Sequence, residues 1–222
     1  MKSYKSFKKI FSIVVISLQC FFLSGQNKFN AGLDIGATSS QISGDGFYGF
    51  GQFGLTGSAF TSVSWNDHWK TTLQIGWNAK GARKYLSANN SVAYRLRANY
   101  IDIPVWMEYQ YESWQFFAGP SFNVHVNHKE LINNVDASPE RKFKPLEFAL
   151  SGGIAYSIND HWMIRGLFAN SILPVRDHLN PNTYPTPNLV LGNFHRSILN
   201  KGQYFTSISL KISYFLAPSN PF

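Results

Sequence analysis

The sequence predicts an all-β fold, an eight-stranded antiparallel up-and-down transmembrane β-barrel, on three observations. Eight stretches alternate apolar and polar residues, near 28–41, 47–64, 69–81, 93–110, 114–127, 144–158, 162–173 and 203–216. Their links alternate in length with a fixed phase, as in barrels with tight turns on one rim and long loops on the other. The tryptophans that flank the tight turns all fall on the apolar parity, at one common rim.

The first strand, around Gly32-Leu33-Asp34-Ile35-Gly36, leads through a modest link at Ser43-Gly44-Asp45-Gly46 into the second. Asn66-Asp67-His68 makes the first tight turn, because Asn and Asp tolerate left-handed backbone and bond their own chain. The third strand sets Trp69, Leu73, Ile75, Trp77 and Ala79 against Lys70, Thr72, Gln74, Asn78 and Lys80. In the fourth, Tyr94, Leu96, Ala98 and Tyr100 share one parity, whereas Ile101, Ile103, Val105, Met107 and Tyr109 share the other. Such a switch predicts a one-residue β-bulge at Tyr100–Ile101. Pro104 follows it, and the turn at Glu112-Ser113 sets Pro104 nearly opposite Pro120 in the fifth strand. The sixth alternates Leu146, Phe148, Leu150, Ile154, Tyr156 and Ile158 with Glu147, Ser151 and Ser157. Asn159-Asp160-His161 repeats the first turn. The last strand separates Ile208, Leu210, Ile212 and Tyr214 from Ser207, Ser209, Lys211 and Ser213.

A period of two means one dry face and one polar face. A lipocalin-like calyx or a β-sandwich would turn the apolar face inward. Trp65, Trp69, Trp114 and Trp162 argue for the outward arrangement, since an aromatic ring at one end is the interfacial girdle of a membrane barrel. Composition agrees: charged residues are 14% and aromatic residues 16% of the chain, whereas a soluble domain carries about 25% charge. The polar face holds Gly, Ser, Asn, Gln and Thr with a few charges of both signs, suited to a narrow lumen filled by side chains. Eight strands leave no open channel. With Phe29 beginning the first strand and Leu216 ending the last, numbers across the closing seam sum to about 245, which pairs Asp34 with Lys211 inside the lumen.

The N-terminus carries a basic segment, Lys2, Lys5, Lys8 and Lys9, then a mostly apolar run from Ile10 to Leu23. This predicts a cleaved secretory signal peptide over 1–25 and a barrel domain over 26–222. Loss of those lysines lowers the formal charge from +8 to +4, and with no basic run or RNA motif, nucleic acid is not an expected partner. Cys20 is the only cysteine, so the mature chain offers no disulfide and no thiol nucleophile.

Asn99-Tyr100-Ile101-Asp102-Ile103-Pro104-Val105-Trp106, followed by Ala118-Gly119-Pro120-Ser121-Phe122, resembles the "Y-L-E-I-P-L … A-G-P" pattern of PorT-like outer-membrane β-barrel proteins of Bacteroidota. Gly32–Gly36, Ser151–Ile154 and Leu210–Phe215 resemble that family's first, sixth and closing strands. The resemblance implies a Gram-negative outer-membrane address, and for the family's namesake a link to protein secretion. Asp102 stands where the family usually has Glu. Six residues follow Leu216, so Phe215 and Phe222 both remain candidates for the terminal aromatic read by barrel-assembly machinery.

Catalytic and metal-binding readings are weak. Ser121 and His125 share a parity, but His128 has the opposite one, and no carboxylate is placed to orient a base. A metal site at His125, His128, His178 and His195 would need two loops to converge. The sequence therefore implies no cofactor, no metal and no catalytic residue. It implies a non-enzymatic structural or partner-binding role through outer loops, with outer-membrane lipid as the surroundings. An accessory part in secretion or envelope assembly, with an envelope or secretion protein as partner, is the second reading. A lipid-acting barrel enzyme is the third. Oligomeric state is not legible.

Overall fold

The computed structural model describes residues 29–43, 49–85, 93–138, 142–177 and 202–218. The expected signal peptide, Phe222, His178, His195 and the rest of residues 178–201 lie outside the described residues. Among the described residues nine strands form: β1 (Phe29–Ser43), β2 (Gln52–Ser64), β3 (Trp69–Lys84), β4 (Tyr94–Tyr111), β5 (Trp114–Ile132), β6 (Val135–Asp136), β7 (Leu146–Ser157), β8 (Trp162–Ser171) and β9 (Tyr204–Phe215). All pair antiparallel with their neighbours, in the order β4-β3-β2-β1-β9-β8-β7-β5, and β5 returns to β4. The eight long strands thus close a barrel, and the two-residue β6 extends β5 beyond the rim through a turn at Asn133-Asn134. Both of those asparagines take positive φ, 49° and 65°, the left-handed pair that a two-residue hairpin needs.

The faces separate as the alternation requires. Leu33, Ile35, Leu73, Ile75, Met107, Ile154, Leu210 and Ile212 are exposed, while Asp34, Gln74, Glu108, Ser209 and Lys211 are buried. In water such a belt would be an unstable apolar surface. In lipid it is required, and barrel closure leaves no backbone polar group on an open edge.

The register departs from the expected one in two places. The β1–β9 seam pairs Gly32 with Phe215 and Gly36 with Lys211, so its numbers sum to 247. Asp34 lies opposite Ser213 and diagonal to Lys211. The expected bulge at Tyr100–Ile101 of β4 is absent: the even residues Tyr94, Leu96, Ala98, Tyr100, Trp106 and Glu108 are all buried, along one uninterrupted inward face. The change of character at Tyr100 has a different cause. Above it β4 leaves the hydrocarbon, so its outward face turns to Asn99, Arg97 and Arg95 while its inward face fills the top of the lumen with apolar groups. The irregularity sits in β5, where Asn99 pairs with Asn127 and Tyr100 with His125, leaving Val126 as the extra residue.

Pro104 faces Ser121, one step from Pro120, and the β4–β5 pairing lapses between Pro104–Ser121 and Met107–Ala118. The β3–β4 pairing lapses at Pro104 too, between Leu73–Val105 and Gly76–Asp102. A proline has no N–H to give to a ladder. Gly119 lets the backbones approach there, since a Cβ at that position would land on the Val105 carbonyl.

Candidate functional site: a charge-filled lumen and an aromatic inner rim

The inner rim is built from two copies of one local device. In Asn66-Asp67-His68-Trp69, the Asn66 Oδ1 accepts from the His68 and Trp69 backbone N–H groups at 2.9 and 2.8 Å. In Asn159-Asp160-His161-Trp162, Asn159 does the same at 2.9 Å to both. Each turn then reaches the next strand. The His68 carbonyl accepts from Gln110 N–H at 2.7 Å and the His161 carbonyl from Phe215 N–H at 2.8 Å. The two imidazoles lie against Tyr109 and Tyr214. Beside them Trp69 packs on Tyr109, Trp114 on Tyr156 and Trp162 on Tyr214, with ring centroids 4.9–5.0 Å apart. Trp65 is outward as well and donates its indole N–H to Thr71 Oγ1 at 2.8 Å. Ring pairs of this size add about 0.5–1.5 kcal/mol beyond burial.

The lumen is a stack of ion pairs. At mid-height Lys211 Nζ lies 3.3 Å from Asp34 Oδ1 and donates to Gln74 Oε1 at 3.2 Å. Gln74 Nε2 and Ser58 Oγ donate to the same carboxylate. Lys80 bridges Asp102 at 3.1 Å and Glu147 at 3.2 Å, and these carboxylates also accept from Asn78 and Ser171. Asp102, the acid within the Tyr100–Pro104 motif, therefore looks into the barrel. Nearer the inner end Glu108 meets Lys70 at 3.3 Å and Arg165 at 3.6 Å. The Arg165 guanidinium lies over Trp106 and Phe117, 5.0 and 5.1 Å from their centroids.

The outer end is closed by Arg176, whose Nη1 and Nη2 fork onto Glu130 at 2.7 and 3.0 Å. Tyr94 donates to the same carboxylate at 2.8 Å, and Gln203 binds Arg176 through both backbone and side chain. Phe143, Phe205, Tyr100 and Leu96 pack beneath. Among the described residues these contacts join five acids to five bases, so the lumen is charge-balanced. A buried carboxylate or ammonium is tolerable only on such terms. The space left between Ser58, Gln74, Trp106 and Lys211 is about 20 Å³, enough for one water.

The histidines come together in a way that parity alone does not give. The Val126 bulge turns both His125 and His128 inward, with ring centroids 5.2 Å apart, and Phe143 packs on both. His128 Nε2 lies 3.3 Å from the Ser138 carbonyl. The Ser121 hydroxyl bonds the Asn123 side-chain amide at 2.6 Å rather than a histidine. Of the luminal charges, sequence reasoning singles out Asp34 and Lys211 but not Glu108, Glu130 or Arg176. The signal available for the first two was their place on the inward parity.

Residues 24–174 match the outer membrane protein beta-barrel domain. No curated protein matches the chain in sequence. Among solved structures, Ail of Yersinia pestis is similar at 11% identity and TM-score 0.49, over 85% of this chain and 99% of that one. Neisserial surface protein A is similar at 9% and 0.42, over 86% and 99%. CarO of Acinetobacter baumannii is similar at 12% and 0.44, over 81% and 96%. With the matched domain spanning most of a closed barrel that turns its apolar face to lipid, the chain belongs to the outer membrane protein beta-barrel domain family and resides in the outer membrane.

Proposed function

We propose that this protein is a non-enzymatic outer-membrane barrel that binds an envelope partner through its outer loops. The observation that carries the reading is the filled lumen. Charge-balanced pairs occupy it from Lys70 to Lys211, and Arg176 with Glu130 closes its outer end. A barrel occupied in this way has its outer rim left for recognition, and loops on a rigid scaffold are where specificity collects. The hydroxyl bonded to Asn123 and the histidines packed on Phe143 serve structure better than nucleophilic chemistry. Replacing residues 178–201 with a short Gly-Ser linker tests the reading. Crosslinking in intact cells should capture an envelope protein with the native chain and lose it with the shortened one, while both barrels stay heat-modifiable in gels. An unchanged crosslinking pattern would contradict it.

The resemblance of Tyr100–Trp106 and Ala118–Phe122 to PorT-like proteins favours a second reading, an accessory role in secretion or envelope assembly. Cells lacking the chain should then retain secreted proteins in the periplasm. Normal secretion would remove this reading.

A further inference from the structure

The outside wall carries a feature that neither barrel closure nor the lumen uses. β3, β4 and β5 rise above the shorter strands on the far side. A strand tilted by about 40° climbs about 2.5 Å per residue along the membrane normal. Measured from Trp69, Tyr109 and Phe116 at the inner girdle, an apolar band of about 25 Å ends after about ten residues. The outward side chains change there, to Arg83 on β3, Arg95 and Arg97 on β4, and Lys129 on β5. Arg83 stands directly opposite Arg95, and Arg97 directly opposite Lys129. Like charges placed so are destabilising in an isolated sheet.

Among the described residues no carboxylate pairs with Arg83, Arg95 or Arg97, and of the four cations only Lys129 acts on an acid, Asp136. Outward neighbours are Tyr85, Asn99, Asn127 and Leu131, and the link sequence 86–92 contains no acid. Asp136, opposite Leu131, accepts from the Ser138 N–H and O–H and also feels the Lys129 charge. Arg83 lies over the Tyr85 ring at 4.3 Å. Arg95 Nε is buried and has no hydrogen-bond partner among the described residues. These side chains, with Lys84, Tyr94 and Leu131, border a cleft of about 420 Å³ at the top of the wall.

We propose that Arg83, Arg95, Arg97 and Lys129 form a binding site for the phosphate-bearing headgroup of an outer-leaflet lipid, seated against the outside of the barrel. The chemistry fits: guanidiniums fork onto phosphate oxygens, and an anion removes the cross-strand repulsion. The height fits too, since Arg97 lies about 30 Å and Arg83 and Arg95 about 35 Å above the inner girdle, at headgroup depth. The four cations continue the columns that meet lipid below, such as Ile101, Ile103 and Met107 under Arg97. A soluble acidic partner would instead meet charge at the loop tips.

The test uses the folded full barrel in neutral detergent, with native mass spectrometry of retained lipid. Phosphorylated lipid A should bind at least tenfold tighter than its dephosphorylated form. Arg95→Gln/Arg97→Gln should abolish that difference, and Arg83→Gln/Lys129→Gln should reduce it several-fold. Lys144→Gln, at a cation paired with Asp177, should leave it unchanged. These outward changes leave the lumen intact, and unaltered heat-modifiable migration checks folding. Inorganic phosphate at 5 mM should not displace the lipid. Equal affinity for both lipids, an undiminished preference in Arg95→Gln/Arg97→Gln, or displacement by inorganic phosphate would overturn the proposal.

Discussion

Removing the carboxylate of Asp34 isolates a buried ammonium, and the structure sets the size of the penalty. The Lys211 side chain is 5% exposed, so water cannot take over. In Asp34→Asn, Lys211 keeps two neutral acceptors, Gln74 Oε1 at 3.2 Å and Ser58 Oγ at 3.4 Å. Breaking one partner of a buried pair costs about 3–5 kcal/mol, and the surviving acceptors place this case near the lower end, about 3 kcal/mol. Lys211→Met strands the carboxylate with the Ser58 and Gln74 donors and should cost about the same. The double variant removes both charges and should cost about 3 kcal/mol in all, which leaves a coupling of about 3 kcal/mol, at the upper end for contacting residues. Equilibrium urea unfolding of the barrel in lipid vesicles, followed by tryptophan emission, measures all four corners of the cycle. Single costs below about 1 kcal/mol, or effects that simply add, would refute the idea that this pair carries mutual compensation in a dry lumen.

Further outcomes follow from the same geometry. Leu210→Arg, on the lipid face about 10 Å above Tyr214, should cost about 2–4 kcal/mol in the same unfolding assay, whereas inward Ser209→Thr should be mild. Gly119→Ala should destabilise by about 1–3 kcal/mol, because its Cβ meets the Val105 carbonyl. Asn66→Ala and Asn159→Ala each remove an acceptor from two backbone N–H groups. Each should cost about 1–2 kcal/mol, and because the two turns share no partner their effects should add within about 0.5 kcal/mol. At the outer hairpin, the Ser138 O–H and N–H hold the Asp136 carboxyl below its ordinary value. The support this gives the hairpin is present at neutral pH and is lost as pH falls through the lowered pKa. Ser138→Ala should move the Asp136 pKa, read by NMR, back up toward the usual carboxylate range.

The parts of this molecule that depend on neighbours in sequence were readable from it. Alternation such as Lys70 against Trp69, and turn residues such as Asn159-Asp160, are local, so strand count, phase and facing follow from them. Register at the closing seam is not local, and strand ends alone place its sum two below the observed 247. Parity also misled at Tyr100, because the rule of apolar outward holds only within the hydrocarbon. Once β4 rises above it, Leu96 and Tyr100 are drawn into the lumen while Arg95 and Arg97 face out. The Val126 bulge in β5 reversed a parity argument that had kept His125 and His128 apart. Lys80 with Glu147 joins β3 to β7 across the lumen, a contact that no strand pattern encodes. The Arg176–Glu130 closure likewise needs the chain after β8 to fold back over the mouth.

The barrel closes with its apolar parity in lipid, and accessibility scanning of β9 reads out that arrangement residue by residue. Cys20 is the only cysteine of the sequence, and Cys20→Ser gives a background without thiols. Single cysteines can therefore replace Ile208, Leu210, Ile212, Ser207 and Ser209 in reconstituted vesicles. Cysteines at 208, 210 and 212 should react with a lipid-dissolved maleimide and not with a water-soluble one, while those at 207 and 209 should resist both. Reaction of the even positions with the water-soluble reagent, or protection that does not alternate, would contradict it.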